Sequence, residues 1–86
     1  MDNATGAVSG EQIQAARALL RWSQQELSER AGVPIPTLKR VEGMRGTVRG
    51  TYETVTKIVG ALRGAGIEFI PGGARLREQP AEAQAS

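Results

Sequence analysis

Basic side chains gather in one stretch of this 86-residue chain. Five basic and two acidic residues lie between Lys39 and Lys57, a local net charge of +3 (five minus two) against +2 for the whole chain. Arginine can donate two hydrogen bonds to guanine, and both arginine and lysine neutralise phosphate. The stretch therefore predicts nucleic-acid recognition, although a solvated basic surface would have the same composition. Its basic residues are Lys39, Arg40, Arg45, Arg49 and Lys57.

Residues that commonly carry catalysis or bind metal are missing. The chain has no His and no Cys, which removes the usual general base, zinc ligand and thiolate. The carboxylates are scattered, so we expect no enzyme activity, metal or cofactor. The lack of Cys is compatible with a reducing cytoplasm. No apolar run approaches 18 residues and residues 1–10 do not resemble a signal peptide, so we expect a cytoplasmic protein without a membrane span.

The central run WSQQELSERAGVPIPTLKRVEG predicts two short helices joined by a glycine turn. Ser23 and Glu26 predict a capping box, in which the hydroxyl accepts from an amide and the carboxylate reaches back to the cap amide. Gly32 stands where a helix ends in the left-handed conformation. The second helix is predicted from Ile35 to Glu42, and Gly43 ends it. This order is typical of a pair in which the first helix supports the second and the second enters a groove.

The run ARALLRWSQQELSERAGVPIPTLKRVEG resembles the Xre family of phage-repressor-like helix-turn-helix regulators. The matching features are the WSQQELSERAGV block, Leu38 in the second helix and the ending Val41-Glu42-Gly43. The resemblance covers about Gln12 to Leu62. It implies an all-α, four- to five-helix repressor-like domain, here with a short C-terminal β-strand or hairpin. It also implies a transcriptional regulator that binds double-stranded operator DNA sequence-specifically, and we expect it to act as a homodimer.

The resemblance places the recognition helix at about residues 35–42. Arg40 matches a family position that often reads a base, and a phosphate contact or a solvated role stays open for it. The family usually has polar residues where Ile35 and Pro36 stand, so hydrogen-bonded readout from the helix tip is reduced. Ile35 could contact a thymine methyl group or a protein partner. The predicted base-reading residues are Ile35, Thr37, Lys39 and Arg40.

Phosphate contacts are predicted on both sides of the recognition helix. Gln24 matches a family position that commonly holds a phosphate or supports the recognition helix, and helix N-termini present free amides to phosphate. Gln24 and Gln25 on a solvated helix surface are the alternative. The loop GMRGTVRG resembles the family loop that tracks the DNA backbone, with a solvated loop as the alternative. The hydroxyl of Tyr52 could reach a phosphate, although its ring is expected to pack. The predicted phosphate-contacting residues are Gln24, Gln25, Arg45, Thr47, Arg49 and Tyr52.

The flanking segments follow from apolar spacing. Residues 1–8 and 78–86 are expected to be a flexible and a disordered tail, and residues 9–66 the DNA-binding domain. A first helix is predicted from about Gly10, capped by Ser9 and Gln12, to Arg21. In this helix Ile13, Ala16, Leu19 and Leu20 form the apolar stripe, and Arg17 faces out.

Trp22 is assigned to core packing, with base stacking as the minor alternative. A last helix runs from Tyr52 to about Gly64, and Gly60 within it suggests close helix packing.

Residues 67–77 predict a strand, Ile67 to Ile70, and a possible second strand, Ala74 to Arg77. We expect them to pack on the helices or to pair with a second copy in a dimer. A protein-interaction module such as an antitoxin or a regulator-binding protein is the alternative function, with Pro34-Ile35-Pro36 and this strand as contact surfaces. The predicted dimerisation residues are Ile67, Phe69 and Ile70.

Overall fold

The computed structural model of the chain describes residues 8–44 and 52–77. The described part is mostly helical and ends in an antiparallel hairpin, as predicted. The helix ends lie within one residue of their predicted positions, and the second strand begins and ends one residue earlier than expected. The elements are α1 (Gly10–Leu20), α2 (Gln24–Ala31), α3 (Ile35–Glu42), α4 (Tyr52–Gly64), β1 (Ile67–Ile70) and β2 (Gly73–Leu76).

Serine side chains cap the first two helices. At α1 the box is complete, because the Gln12 amide donates to Ser9 Oγ at 3.1 Å and the Ser9 amide donates to Gln12 Oε1 at 2.9 Å. At α2 the Glu26 amide donates to Ser23 Oγ at 3.0 Å. The prediction that the Glu26 carboxylate reaches back to the Ser23 amide was wrong. Its carboxylate instead accepts hydrogen bonds of 3.1 and 3.0 Å from Arg30, one turn later on the exposed face.

The turn between α2 and α3 is closed by backbone and side-chain hydrogen bonds. Gly32 has φ +69° and ψ 37°, the left-handed conformation that the sequence predicted for this glycine. The amides of Gly32 and Val33 donate to the Ser28 carbonyl oxygen at 2.9 and 3.1 Å. The Ser28 hydroxyl donates to the Val33 carbonyl oxygen. Val33 is 4% exposed and anchors the turn in the core, so the start of α3 is fixed relative to α2.

Apolar side chains from all four helices and from β1 form one core, against which Trp22 packs as expected. Two expectations were wrong. Val8, assigned to the flexible tail, is 1% exposed. The sequence did not reveal this burial, because the segment before Ser9 has no periodic apolar pattern. Leu19 is 41% exposed, since the apolar stripe of α1 is narrower than its sequence suggested. The buried core residues are Val8, Ile13, Ala16, Leu27, Ala31, Val33, Leu38, Val41, Val55, Ile58, Val59, Leu62 and Ile67.

The hairpin packs on α1, which is the first of the two placements predicted for it. Gly72, at φ +74°, follows Pro71 in the turn, a pairing typical of a type II turn. The Gln12 side-chain amide donates to the carbonyl oxygens of Ile70 and Gly73 at 2.7 and 3.1 Å. The same side chain that completes the cap of α1 therefore ties both ends of the turn to that helix.

Two glycines differ in what surrounds them. A Cβ atom at Gly10 would lie 2.6, 2.7 and 2.9 Å from the carbonyl oxygens of Glu42, Met44 and Val41. The start of α1 is therefore pressed against the end of α3, at a distance that only glycine permits. A Cβ atom at Gly60 would meet nothing within 4 Å. The expectation of close helix packing at Gly60 was wrong, because this position of α4 is exposed.

Candidate nucleic-acid interface

Helix α3 has one face in the core and one face outward. Leu38 and Val41 are 0% and 1% exposed, so they anchor the helix. The outward side chains include Lys39 and Arg40, both exposed. Neither forms a hydrogen bond or ion pair with any residue in the described ranges. Within residues 8–44 and 52–77, both side chains are therefore accessible to a ligand.

The remaining predicted base-reading residues are less accessible. Ile35 is the first residue of α3 and Thr37 lies in its first turn, and both are half-buried. Pro34 and Pro36 occupy the cap and the second position of the helix and are exposed. Proline is tolerated there because the first amides of a helix have no intrahelical partner. The tip of α3 is thus apolar, and its charge lies further along the helix.

The acidic residue of α3 is buried and paired with a cation. Glu42 is 4% exposed. Its carboxylate accepts from Arg17 Nε at 2.9 Å and from Arg17 Nη2 at 3.1 Å, a two-point contact. Gln24 Nε2 donates to the same carboxylate at 3.0 Å. The prediction that Arg17 faces out was wrong. The sequence could not indicate this ion pair, because Arg17 and Glu42 are 25 residues apart.

Two further hydrogen bonds extend this network along the backbone. Arg17 Nη1 donates to the Trp22 carbonyl oxygen at 3.0 Å, and Gln14 Nε2 donates to the Glu42 carbonyl oxygen at 2.7 Å. A buried ion pair is tolerated when its remaining donors and acceptors are satisfied in this way. The network joins α1, α2 and the end of α3, and it leaves the exposed surface of α3 with positive charge alone.

The residues predicted to contact phosphate occupy different settings. The side-chain amide of Gln24 donates to the carboxylate of Glu42, the last residue of α3. Gln25 is exposed, and its Nε2 donates to Glu29 Oε2 at 3.3 Å. Tyr52 is 79% exposed, so the expected packing of its ring was wrong. This exposure makes the side chain accessible within the described part of the chain. Arg45, Thr47 and Arg49 lie outside the described residues.

The predicted dimerisation residues are divided by burial. Ile67 is 1% exposed and belongs to the core of the single chain, so its side chain is not available to a partner surface. Phe69 and Ile70 are half-buried, and Leu76, which lies opposite Ile67 in the hairpin, is 49% exposed. Strand alternation suggested a contact surface, but it cannot tell which face of a hairpin covers its own helices.

Within residues 8–44 and 52–77, no group of three or more acidic side chains is placed to hold a metal ion. No described helix is long and apolar enough to cross a membrane. No model of a known protein family matches this chain, and no similar curated protein or solved structure was found. The geometry of α2, its turn and α3 is therefore the basis for assigning a function.

Proposed function

We propose that this chain is a sequence-specific, double-stranded DNA-binding regulator of the repressor-like helix-turn-helix class, with α3 as its recognition helix. The observation that carries the proposal is the outward charge of α3. Lys39 and Arg40 are exposed, whereas Glu42 is buried against Arg17. An exposed helix surface with only positive charge is attracted to phosphate, and arginine donates to guanine in the major groove.

The support of α3 favours the same function. Recognition of base edges requires side chains held in a fixed position by the scaffold. The Gly32 turn fixes the start of α3, and Gln14, Arg17 and Gln24 hold its end through Glu42. A helix held at both ends fixes the backbone from which Arg40 extends, which supports discrimination between bases.

Fluorescence anisotropy with labelled duplexes tests the proposal. The parent chain is titrated against DNA from upstream of its own gene and against a scrambled duplex, at increasing salt. We expect tighter binding to the upstream DNA, weakening steeply with salt because phosphate neutralisation releases counterions. Arg40→Ala should cost about 1–3 kcal/mol and relax the preference at one base position.

A matched variant separates local readout from net charge. Arg75→Ala removes one positive charge from the hairpin, where Arg75 pairs with Glu68 at 2.9 Å. It should change affinity far less than Arg40→Ala. Equal affinity of the parent and Arg40→Ala for every duplex would refute the assignment of α3 as the reading helix. Should all duplexes bind equally and weakly, either the operator lies elsewhere or the prolines at the tip of α3 have removed its base readout.

The homodimer is part of the proposal, because two copies present two α3 helices to half-sites about 34 Å apart. Its surface would use the parts of the hairpin that stay accessible, around Ile70 and Leu76. Sedimentation equilibrium of the parent and of Leu76→Lys measures the association. A parent that stays monomeric both free and on DNA would remove the dimer from the proposal and leave DNA binding by one chain.

A second candidate function, capture of a protein partner as an antitoxin does, is favoured by the apolar tip of α3. Pro34 and Pro36 are exposed on either side of half-buried Ile35. Ile35→Asp would disrupt such a contact while leaving Lys39 and Arg40 in place. Loss of a co-purifying partner with retained, salt-dependent DNA binding would assign the tip to protein recognition. Loss of DNA binding alone would assign it to the groove.

A further inference from the structure

An open cleft lies between α2, together with Trp22 that precedes it, and the end of α4. It measures about 280 Å³ and is lined by Trp22, Arg30, Ala61, Gly64 and Ala65. Ligand pockets for drug-sized molecules measure about 300–1,000 Å³. This cleft is therefore of a size to receive a few small side chains of a peptide.

The chemistry of the cleft is aromatic and cationic. The guanidinium carbon of Arg30 lies 4.5 Å from the centroid of the Trp22 ring, a cation–π contact. Arg30 uses Nε and Nη2 to pair with Glu26, and its Nη1 makes no hydrogen bond within the described part of the chain. Two further arginines are next to the cleft lining in the chain, and both are exposed. Arg21 precedes Trp22, and the Arg77 amide bonds Gly66, which follows Ala65.

The described chain leaves the hairpin beside this cleft. The Arg77 amide donates to the Gly66 carbonyl oxygen at 2.6 Å, and Gly66 directly follows Ala65 of the cleft wall. The nine residues 78–86, EQPAEAQAS, include two acidic residues and no basic one. A nine-residue segment reaches up to roughly 30 Å when extended. It can therefore reach every wall of the cleft.

We propose that segment 78–86 of the same chain docks in the Trp22–Arg30 cleft. Pro80 and the adjacent Ala81 offer small apolar surface to the indole, and Glu78 and Glu82 offer carboxylates to Arg30 and its cationic surroundings. The attachment at Arg77 lowers the affinity that is needed, because a short flexible tether gives an effective concentration on the order of 1 mM. The proposal does not depend on DNA binding.

Trp22 is the only Trp of the chain, so its fluorescence reports on the cleft directly. We would measure acrylamide quenching for the full-length parent and for the full-length double variant Glu78→Gln/Glu82→Gln, at low salt without DNA. The matched control is Glu11→Gln/Glu53→Gln, which removes the same charge from the first turns of α1 and α4.

We expect a larger quenching constant for the tail variant than for the parent and the control. Salt at 1 M, where the Debye length falls to about 3 Å, should raise the constant of the parent to that of the tail variant. A free peptide of residues 78–86 added to the tail variant should restore protection with a midpoint below about 1 mM, because docking within the chain is populated only when the dissociation constant lies below the effective concentration. The same peptide with Gln at positions 78 and 82 should not.

Equal quenching of the parent, the tail variant and the control at low salt would overturn the proposal. Protection of the parent that increases with protein concentration would also overturn docking within one chain, since it would assign the occupant to a second copy. Far-ultraviolet circular dichroism of all three proteins verifies that the substitutions, which lie on exposed or undescribed positions, leave the helices intact.

Discussion

Replacing Gly10 by Ala would test the closest approach in the molecule. The added Cβ atom would lie 2.6 Å from the Glu42 carbonyl oxygen, 2.7 Å from that of Met44 and 2.9 Å from that of Val41. All three neighbours are backbone atoms, which cannot rotate away as a flexible side chain can. The end of α3 or the start of α1 must therefore move.

The expected loss of stability follows from two opposing contributions. Overpacking costs about 1–3 kcal/mol, and a backbone neighbour argues for the upper end. Alanine has an intrinsic advantage over glycine of about 1 kcal/mol inside a helix, which offsets part of this. The net loss is about 2 kcal/mol. For a domain of this size the melting temperature should fall by roughly 8–16 °C.

Gly60→Ala is the matched control, because it makes the same chemical change in α4 where a Cβ atom meets nothing within 4 Å. It should raise stability by about 1 kcal/mol. Urea unfolding followed by circular dichroism measures the free energy of unfolding of both variants, and an unchanged m-value makes the two values comparable. A Gly10→Ala chain as stable as the parent would refute the argument, since it would mean that α1 and α3 separate there at little cost.

Two further predictions concern buried hydrogen bonds. Arg17→Met should cost about 3–5 kcal/mol in urea unfolding, because it leaves the Glu42 carboxylate buried without its cation; Arg17→Met/Glu42→Leu should lose less, and a double variant that loses the sum of the single effects would contradict the coupling. Gln12→Leu should cost about 1–3 kcal/mol, because its amide group satisfies Ile70 and Gly73. In that variant the hairpin amides should lose hydrogen-exchange protection before those of α4, and unchanged protection would show that the hairpin stays docked without Gln12.

Local signals predicted most of the secondary structure. These signals act between residues that are close in the chain, so the sequence alone is enough to recognise them. They are the Ser9 cap with Gln12, Gly32 after Ala31 and the prolines at the start of α3. Apolar spacing likewise gave the core positions of α3 and α4. Lys39 and Arg40 of the candidate site were instead proposed from the local excess of basic residues and, for Arg40, from the family resemblance.

Interactions between distant residues could not be read from local pattern. Arg17 looks like any cation on an outward helix position until Glu42 is brought beside it by folding. The Gly10 and Gly60 positions carry the same residue type, and only the packing of α1 on α3 distinguishes them. Burial of Ile67 depends on which face of the hairpin meets α1, and alternation along a strand leaves that choice open.

The link between Gln12 and the hairpin has a consequence for synthesis of the chain. These two hydrogen bonds span 58 and 61 residues. The helix that is synthesised first can therefore form them only after the hairpin has been synthesised. At about 5–20 residues per second, the interval from the end of α1 to Arg77 is roughly 3–11 s. During that time Ser9, the cap residue of α1, is already present, whereas the hairpin carbonyl oxygens that Gln12 binds are not. The contacts between the hairpin and α1 therefore form only after the rest of the described domain has been synthesised.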